Sequence, residues 1–246
     1  MKQIKTSPRR RWILPLAAII ATVQLHGQSI LTDNDTFVYK ANPDTNYGDN
    51  DSILVRNDGG SAQSKTKDII GYFSFDLTPV SGATYSPAAH IDLNVISAST
   101  SYSFNVYGIP NRGTGTDEFF DEDLLTLNNA EDTYTGPANA TGSADGSLET
   151  DDLSFLGSFD LSTLTTTPST ISFSSTELTA FLNADTNDRA TFILLATFET
   201  GGGAADFASK DHASLAGPTL VVPEPQAFAL ITGALGLLFV GLRRRR

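Results

Sequence analysis

The sequence contains no cysteine, one methionine, one tryptophan and three histidines among its 246 residues. Without cysteine the chain has no disulfide framework, no thiolate metal ligand and no cysteine nucleophile. The two histidines in the body, His90 and His212, are accompanied by no Gly-x-Ser-x-Gly, His-Glu-x-x-His or phosphate-loop motif. Acidic clusters at 118–123 and 149–152 are the remaining glycosidase candidates, but such clusters are more typical of solvated loops. We therefore predict that the protein is not an enzyme.

Basic residues are also scarce in the body of the chain. Nine of the 16 Lys and Arg residues lie in the first 11 or the last four positions, whereas all 28 acidic residues lie between Asp33 and Glu224. Residues 29–225 therefore contain 7 basic and 28 acidic side chains, a net charge of −21. Such a body repels nucleic acid and anionic lipid at long range, so we predict no nucleic-acid partner.

The first 28 residues have the pattern of an export signal. A basic segment, MKQIKTSPRRR, precedes the apolar run WILPLAAIIATVQL and a short segment of small and polar residues. This order is typical of a secretory signal peptide, and we predict one over residues 1–28. An uncleaved membrane anchor is the alternative.

The last 24 residues combine three features: Pro-Glu-Pro, an apolar run over 227–242, and a terminal arginine cluster. A helix over the apolar run would be about 24 Å long, close to the thickness of a bilayer core. The arginines place the tail in the cytoplasm and the body outside. This order resembles a PEP-CTERM sorting signal, which implies processing by an exosortase and delivery to the cell surface or extracellular matrix. The motif residues are Pro223, Glu224, Pro225, Arg243, Arg244, Arg245 and Arg246. A plain C-terminal anchor is the alternative.

The body, residues 29–222, has the pattern of an antiparallel β-sandwich. Short β-branched and aromatic stretches alternate with Gly, Asn, Asp and Pro breaks, which predicts strands near 36–39, 52–56, 69–77, 90–95, 102–109, 171–173, 190–198 and 220–222. One short helix is predicted over 176–182, with Ser175 or Thr176 as N-cap. The polar stretch 128–152 reads as a long surface loop, and 163–170 as a second flexible connection.

The body also resembles a known exported module, the DNRLRE-type domain, whose members include alginate-binding carbohydrate modules. Five segments carry the resemblance in order: DTFVYKANPDTNYGDNDSILVRN (35–57), GYFSFDL (71–77), AHIDLNV (89–95), DEFFDEDLLTLNNA (117–130) and FASKDHASLAGPTLVV (207–222). Phe120 or Leu127 occupies the position where the family often has tryptophan. The resemblance implies an all-β, antiparallel jelly-roll β-sandwich and a non-catalytic polysaccharide-binding function.

Two sets of residues are candidates for binding. Aromatic faces and nearby cations suit sugars, and the candidates for extracellular polysaccharide are Tyr39, Tyr47, Arg56, Lys65, Lys67 and Tyr107. Calcium prefers six to eight oxygen ligands, and we predict one structural Ca²⁺ ion held by Asp33, Asp35 and Asp211 if the two ends of the body meet. Ordinary sheet packing of the tyrosines, and Asp-rich turns without metal, are the alternatives.

Two functions from different classes remain open on the sequence. The first is a polysaccharide-binding module, and the second is a structural matrix or adhesion protein that binds no glycan of its own. Aromatic and basic residues that converge on one face would favour the first. Scattered tyrosines on a uniformly acidic surface would favour the second.

Overall fold

The computed structural model describes residues 27–57, 68–82, 85, 89–99, 103–111, 119–133, 153–197 and 203–222. The predicted signal peptide and sorting tail lie outside these residues, except for Gly27 and Gln28. Within the described ranges no helix combines the length and the apolar character needed to cross a membrane.

The described chain contains eleven strands and two short helices. The strands are β1 (Gln28–Leu31), β2 (Asn34–Tyr39), β3 (Ser52–Asn57), β4 (Ile69–Asp76), β5 (His90–Ala98), β6 (Ser103–Gly108), β7 (Ser154–Asp160), β8 (Ser169–Phe173), β9 (Arg189–Ala196), β10 (Gly203–Ala208) and β11 (Thr219–Val222). The helices are α1 (Leu127–Thr133) and α2 (Thr176–Asn183), and a 3-10 turn spans Thr78–Val80.

All strand pairs are antiparallel, and the sheet curls into two layers. One layer has the order β2-β4-β9-β6-β7. In the other, β5 pairs with β8 on one side and with β11 and β10 on the other, and these continue to β1 and β3. A single register pair, Arg56 with Ile69, joins the layers through β3 and β4. The predicted all-β antiparallel sandwich is thus confirmed, and the first and last strands of the body pair with each other.

Two hydrophobic clusters stabilise this arrangement. The larger cluster fills the space between the layers and is rich in aromatic rings, with Phe73 stacked on Phe192 at 5.3 Å. The smaller cluster lies on the outer face of the five-stranded layer, where Phe120, Leu125 and Leu127 cover Tyr72 and Ile193. Because both faces of β4 are covered, seven of its eight residues are buried. Each large side chain buried in this way stabilises the fold by roughly 1.5–3 kcal/mol.

The eight predicted strands are confirmed within one to three residues at their ends, and so is helix α2, with Ser175 as its N-cap. The Ser175 side chain accepts a hydrogen bond from Leu178 N at 2.8 Å. The predicted surface loop over 128–152 is wrong at its start, because α1 occupies Leu127–Thr133 and buries Leu127 and Ala130. Similarly, β8 begins at Ser169, inside the predicted flexible connection.

Candidate functional site

One corner of the molecule is built by the Asn-Tyr-Gly motif at 46–48 and the segment 119–130. The side chain of Asn46 donates hydrogen bonds to the carbonyl oxygens of Glu122, at 2.5 Å, and Leu125, at 2.8 Å. At Gly48 a Cβ atom would lie 2.4 Å from the Glu122 carbonyl oxygen, so a larger residue does not fit. We call residues 42–48 together with 120–130 the loop corner.

The predicted sugar-binding tyrosines divide between two places. Tyr47 is half-buried in the loop corner, stacked on Phe37 at 4.4 Å between ring centroids, and Tyr39 lies 6.5 Å from it. Arg56 is half-buried and belongs to the same end of the sandwich, because Tyr39 and Arg56 both pair in register with Ile69. Tyr107 is buried in the outer cluster of the five-stranded layer. Lys65 and Lys67 lie outside the described residues.

The predicted calcium ligands also separate. Asp33 accepts a hydrogen bond from Arg189 Nη1 at 2.7 Å and one from Ser74 Oγ at 2.7 Å. Asp211 is paired with the Lys210 ammonium at 3.2 Å, and Glu122 is paired with the same ammonium at 2.6 Å. Across the described residues, no three acidic, histidine or cysteine side chains form a group suited to a metal ion.

Asp35 is the unusual member of this set, because it is 1% exposed. Its Oδ2 accepts a hydrogen bond from Lys210 N at 2.8 Å, whereas Oδ1 is buried without a hydrogen-bond partner among the described residues. Burial, together with the nearby Glu122 and Asp211 charges, raises the pKa of Asp35 to about 7, although the Lys210 hydrogen bond acts in the opposite direction. The hydrogen bond to Glu122 also raises the pKa of Lys210. This cluster joins β2, the loop corner and the segment before β11.

A groove of about 370 Å³ opens where β6 ends, β7 begins and α2 crosses to β9. Its aromatic lining residues are Phe155 and Phe181, and its polar lining includes Asn111, Glu177, Asp185 and Arg189. Phe155 is 52% exposed, and its ring centroid lies 5.4 Å from that of Tyr107, which packs against one side of the ring. An exposed aromatic ring at the edge of a concave surface is the feature that sequence reasoning missed.

The groove is held in shape by α2. Phe181 packs on Phe192 of β9 at 5.6 Å, and its ring occupies the space where a Cβ atom at Gly108 would lie. The N-cap Ser175 also donates to the Leu156 carbonyl at 2.6 Å, which ties the helix to β7. These contacts make the groove a preformed surface, the usual condition for a ligand site.

Arg189 links the groove to a second exposed ring. Its guanidinium carbon lies 5.0 Å from the ring centroid of Phe119, which is 44% exposed. The same guanidinium is paired with Asp33, so Asp33 positions a groove residue in this structure. Phe119 therefore lies beside Arg189, and Phe155 lies in the groove that Arg189 lines.

The acidic lining residues have defined partners. Glu177 accepts a hydrogen bond from Thr176 Oγ1 at 2.9 Å. Asp185 accepts one from Asp188 N at 2.9 Å. Burial raises the pKa of Asp185, and backbone hydrogen bonds from Asn187, Asp188 and Arg189 offset part of this effect. Hydroxyl groups of a ligand would find acceptors here.

The fold and the groove together define a β-sandwich with a preformed, aromatic-edged surface site. The model of Carbohydrate-binding module family 96 matches residues 28–147, which run from β1 past α1. No curated protein matches the chain. The match supports a carbohydrate-binding body, and because carbohydrate-binding modules are non-catalytic, it is consistent with a protein that is not an enzyme. Phe119 and Asn111 lie inside the matched range, whereas β7, α2 and Arg189 lie beyond it.

Proposed function

We propose that the protein is an exported, non-catalytic polysaccharide-binding module, and that it binds through the groove lined by Phe155, Phe181 and Arg189. The observation that carries this proposal is the exposed ring of Phe155 at the edge of that groove. The match of residues 28–147 to a carbohydrate-binding family supports the same class of function.

The groove offers both kinds of contact that a sugar needs. The C–H face of a pyranose ring packs on an aromatic ring, and its hydroxyl groups hydrogen-bond to polar side chains at the rim. Phe155 provides the ring, while Glu177 and Asp185 provide acceptors. Because Tyr107 already restrains Phe155, little conformational entropy is lost on binding.

Affinity electrophoresis of the full-length chain tests this proposal. The gels contain a neutral glucan, a neutral galactomannan or alginate, each with and without Ca²⁺. We expect at least one polymer to retard the wild type, and Phe155→Ala to bind that polymer about tenfold more weakly. Leu31→Ala is the matched control, since Leu31 is 63% exposed on β1 and does not line the groove. Unchanged mobility of the wild type in every gel would show that the proposal is wrong.

The alternative is a structural matrix or adhesion protein without glycan binding. The packed tyrosines favour it, because Tyr39, Tyr47 and Tyr107 are half-buried or buried rather than gathered on one open face. The polar outer surface of β5 and β8 also favours it, with Ser172 bonded to Asp92 at 2.5 Å and Thr170 to Asn94 at 2.6 Å. Absence of retardation in all gels would support this function.

We also propose that residues 1–28 direct export and that residues 223–246 are processed by an exosortase, so that the protein reaches the cell surface or the extracellular matrix. The support is the sequence order of Pro-Glu-Pro, apolar run and arginines. In a host that carries an exosortase, mass spectrometry should find the tail removed from the wild type and retained in Glu224→Ala. Retention of the wild-type tail in that host would contradict the proposal.

The structural calcium ion at Asp33, Asp35 and Asp211 stays a prediction. Two of these carboxylates are paired with Arg189 and Lys210, so an ion would have to compete with these cations. Thermal unfolding in Ca²⁺ and in EDTA tests the prediction. A higher midpoint in Ca²⁺ would support the site, and an unchanged midpoint with no heat of titration would exclude it.

A further inference from the structure

The charges around the groove point to the class of glycan that it accepts. Among the lining residues that the structure describes, the charged ones are Glu177, Asp185 and Arg189, and only Arg189 is cationic. Of these three residues, Arg189 is the one with which the carboxylate of a uronate chain could form an ion pair.

Arg189 is already engaged on two sides. Its Nη1 donates to Asp33 at 2.7 Å, and its guanidinium lies over Phe119 at 5.0 Å. The Asp33 carboxylate therefore neutralises the positive charge where an incoming carboxylate would need it. A uronate would have to displace Asp33 and leave that carboxylate without its cation.

The remaining charges oppose a uronate directly. Like charges a few ångströms apart repel each other, and more strongly near a protein surface than in bulk water. A ligand carboxylate beside Glu177 or Asp185 would meet this repulsion at each contact. The net charge of −21 on residues 29–225 adds repulsion at longer range.

A neutral sugar meets none of these costs. Its hydroxyl groups can donate to Glu177 and Asp185, which are acceptors when ionised. Its C–H face can pack on Phe155, whose exposed half is apolar. The same acidic rim that rejects a carboxylate thus provides hydrogen-bond acceptors to a hydroxyl.

We propose that the groove recognises an uncharged glycan through Phe155, Glu177 and Asp185, and that it discriminates against uronate polymers such as alginate. The inference rests on the proposed polysaccharide-binding function and names the ligand class of the same site.

The test measures retardation of the full-length chain by neutral glucan, neutral galactomannan and alginate, for the wild type and for Phe155→Ala, Glu177→Lys and Leu31→Ala. We expect retardation of the wild type by a neutral polymer and not by alginate. The retardation by the neutral polymer should be the same in about 0.05 M and 0.5 M NaCl, since salt screens interactions between charges and a neutral polymer carries none. Phe155→Ala should weaken binding about tenfold, which is about 1.4 kcal/mol. Leu31→Ala should bind as the wild type does. Glu177→Lys, which reverses the rim charge, should gain measurable retardation by alginate.

The possible outcomes distinguish the inference about the ligand class from the proposed polysaccharide-binding function. Retardation by alginate that Phe155→Ala weakens would overturn the inference and leave the polysaccharide-binding function intact. Retardation by a neutral polymer that Phe155→Ala does not change would place binding elsewhere and overturn the inference as well. Retardation by none of the polymers would overturn the proposed function itself.

Discussion

The loop corner and the groove both combine aromatic rings with carboxylates and a basic side chain, but they use them in opposite ways. In the loop corner, Tyr47 is half-buried against Phe37, and Glu122 is paired with the Lys210 ammonium, which also contacts Asp211. In the groove, Phe155 is 52% exposed and the acidic side chains lie at an open rim. An aromatic residue near a charge is therefore a binding candidate only where its ring remains open to solvent.

Asp35 gives the largest expected effect, on the loop-corner side of this comparison. Its folded-state pKa of about 7 lies above the ordinary value of 3.8, so the folded protein retains the proton in this window while the unfolded chain loses it. The contribution of Asp35 to stability is therefore complete below about pH 3.8 and is lost as the pH rises to about 7, a change of about 4 kcal/mol. Asp35→Asn should remove this part of the pH dependence.

Urea unfolding at pH 5 and pH 8 measures the pH dependence of stability that Asp35 contributes. The wild type should lose stability between the two pH values by more than Asp35→Asn does. Asp123→Asn, which changes an exposed carboxylate of the same corner, should behave as the wild type. Equal pH dependence in all three proteins would show that Asp35 is not the titrating group.

Gly48 tests whether the corner tolerates any added atom. Gly48→Ala would place a methyl group 2.4 Å from the Glu122 carbonyl oxygen, which is backbone and cannot rotate away. We expect a loss of about 3 kcal/mol in the free energy of unfolding, the upper part of the range for overpacking. The control is Ser81→Ala, in an exposed turn. Gly82→Ala, in the same turn, is unsuitable because the positive φ of Gly82 would strain an alanine. A stability within 0.5 kcal/mol of the wild type, about the scatter of surface substitutions, would contradict this account of the corner.

A matched pair of aromatic truncations tests the difference between the loop corner and the groove directly. Tyr47→Ala should destabilise the fold by about 2 kcal/mol, less than a fully buried ring, and leave glycan binding unchanged. Phe155→Ala should cost less than about 1 kcal/mol of stability, because its ring is half exposed, and should weaken binding about tenfold. Denaturant unfolding and affinity electrophoresis of both variants measure the two effects. The reverse result, binding lost in Tyr47→Ala alone, would restore the sugar site predicted at Tyr39 and Tyr47.

The smallest effect is expected at the cap of α2, on the groove side. Ser175→Ala removes the hydrogen bonds to Leu178 N and to the Leu156 carbonyl. We expect a loss of about 1 kcal/mol, typical of an N-cap, and a several-fold weaker affinity since α2 carries Phe181 and Glu177. Ser174→Ala is the neighbouring control. Unchanged stability and affinity would mean that the cap does not support the groove.

The fold was largely predictable from the sequence, and the site was not. Strands such as β5 alternate apolar and polar residues, and this period of two survives in the structure as alternating burial. Strand β10, Gly-Ala-Ala-Asp-Phe-Ala, was missed because glycine and alanine have low strand propensity, and its pairing with both β3 and β5 overrides that preference. Strands β1 and β7 are not predicted either, and Phe155 lies on β7.

The sequence alone determined the strand periodicity, the short helix with its serine cap and the strong negative charge, because each depends on neighbouring residues or on composition. Tertiary structure alone decided which aromatic rings stay exposed and which cations are already neutralised. Asp33 and Arg189 are 156 residues apart and meet only because β2, β4 and β9 are adjacent in one layer. Phe119 and Phe120 are sequence neighbours, yet one is 44% exposed and the other is fully buried, because a chain that crosses a sheet can turn only one of two consecutive side chains toward it.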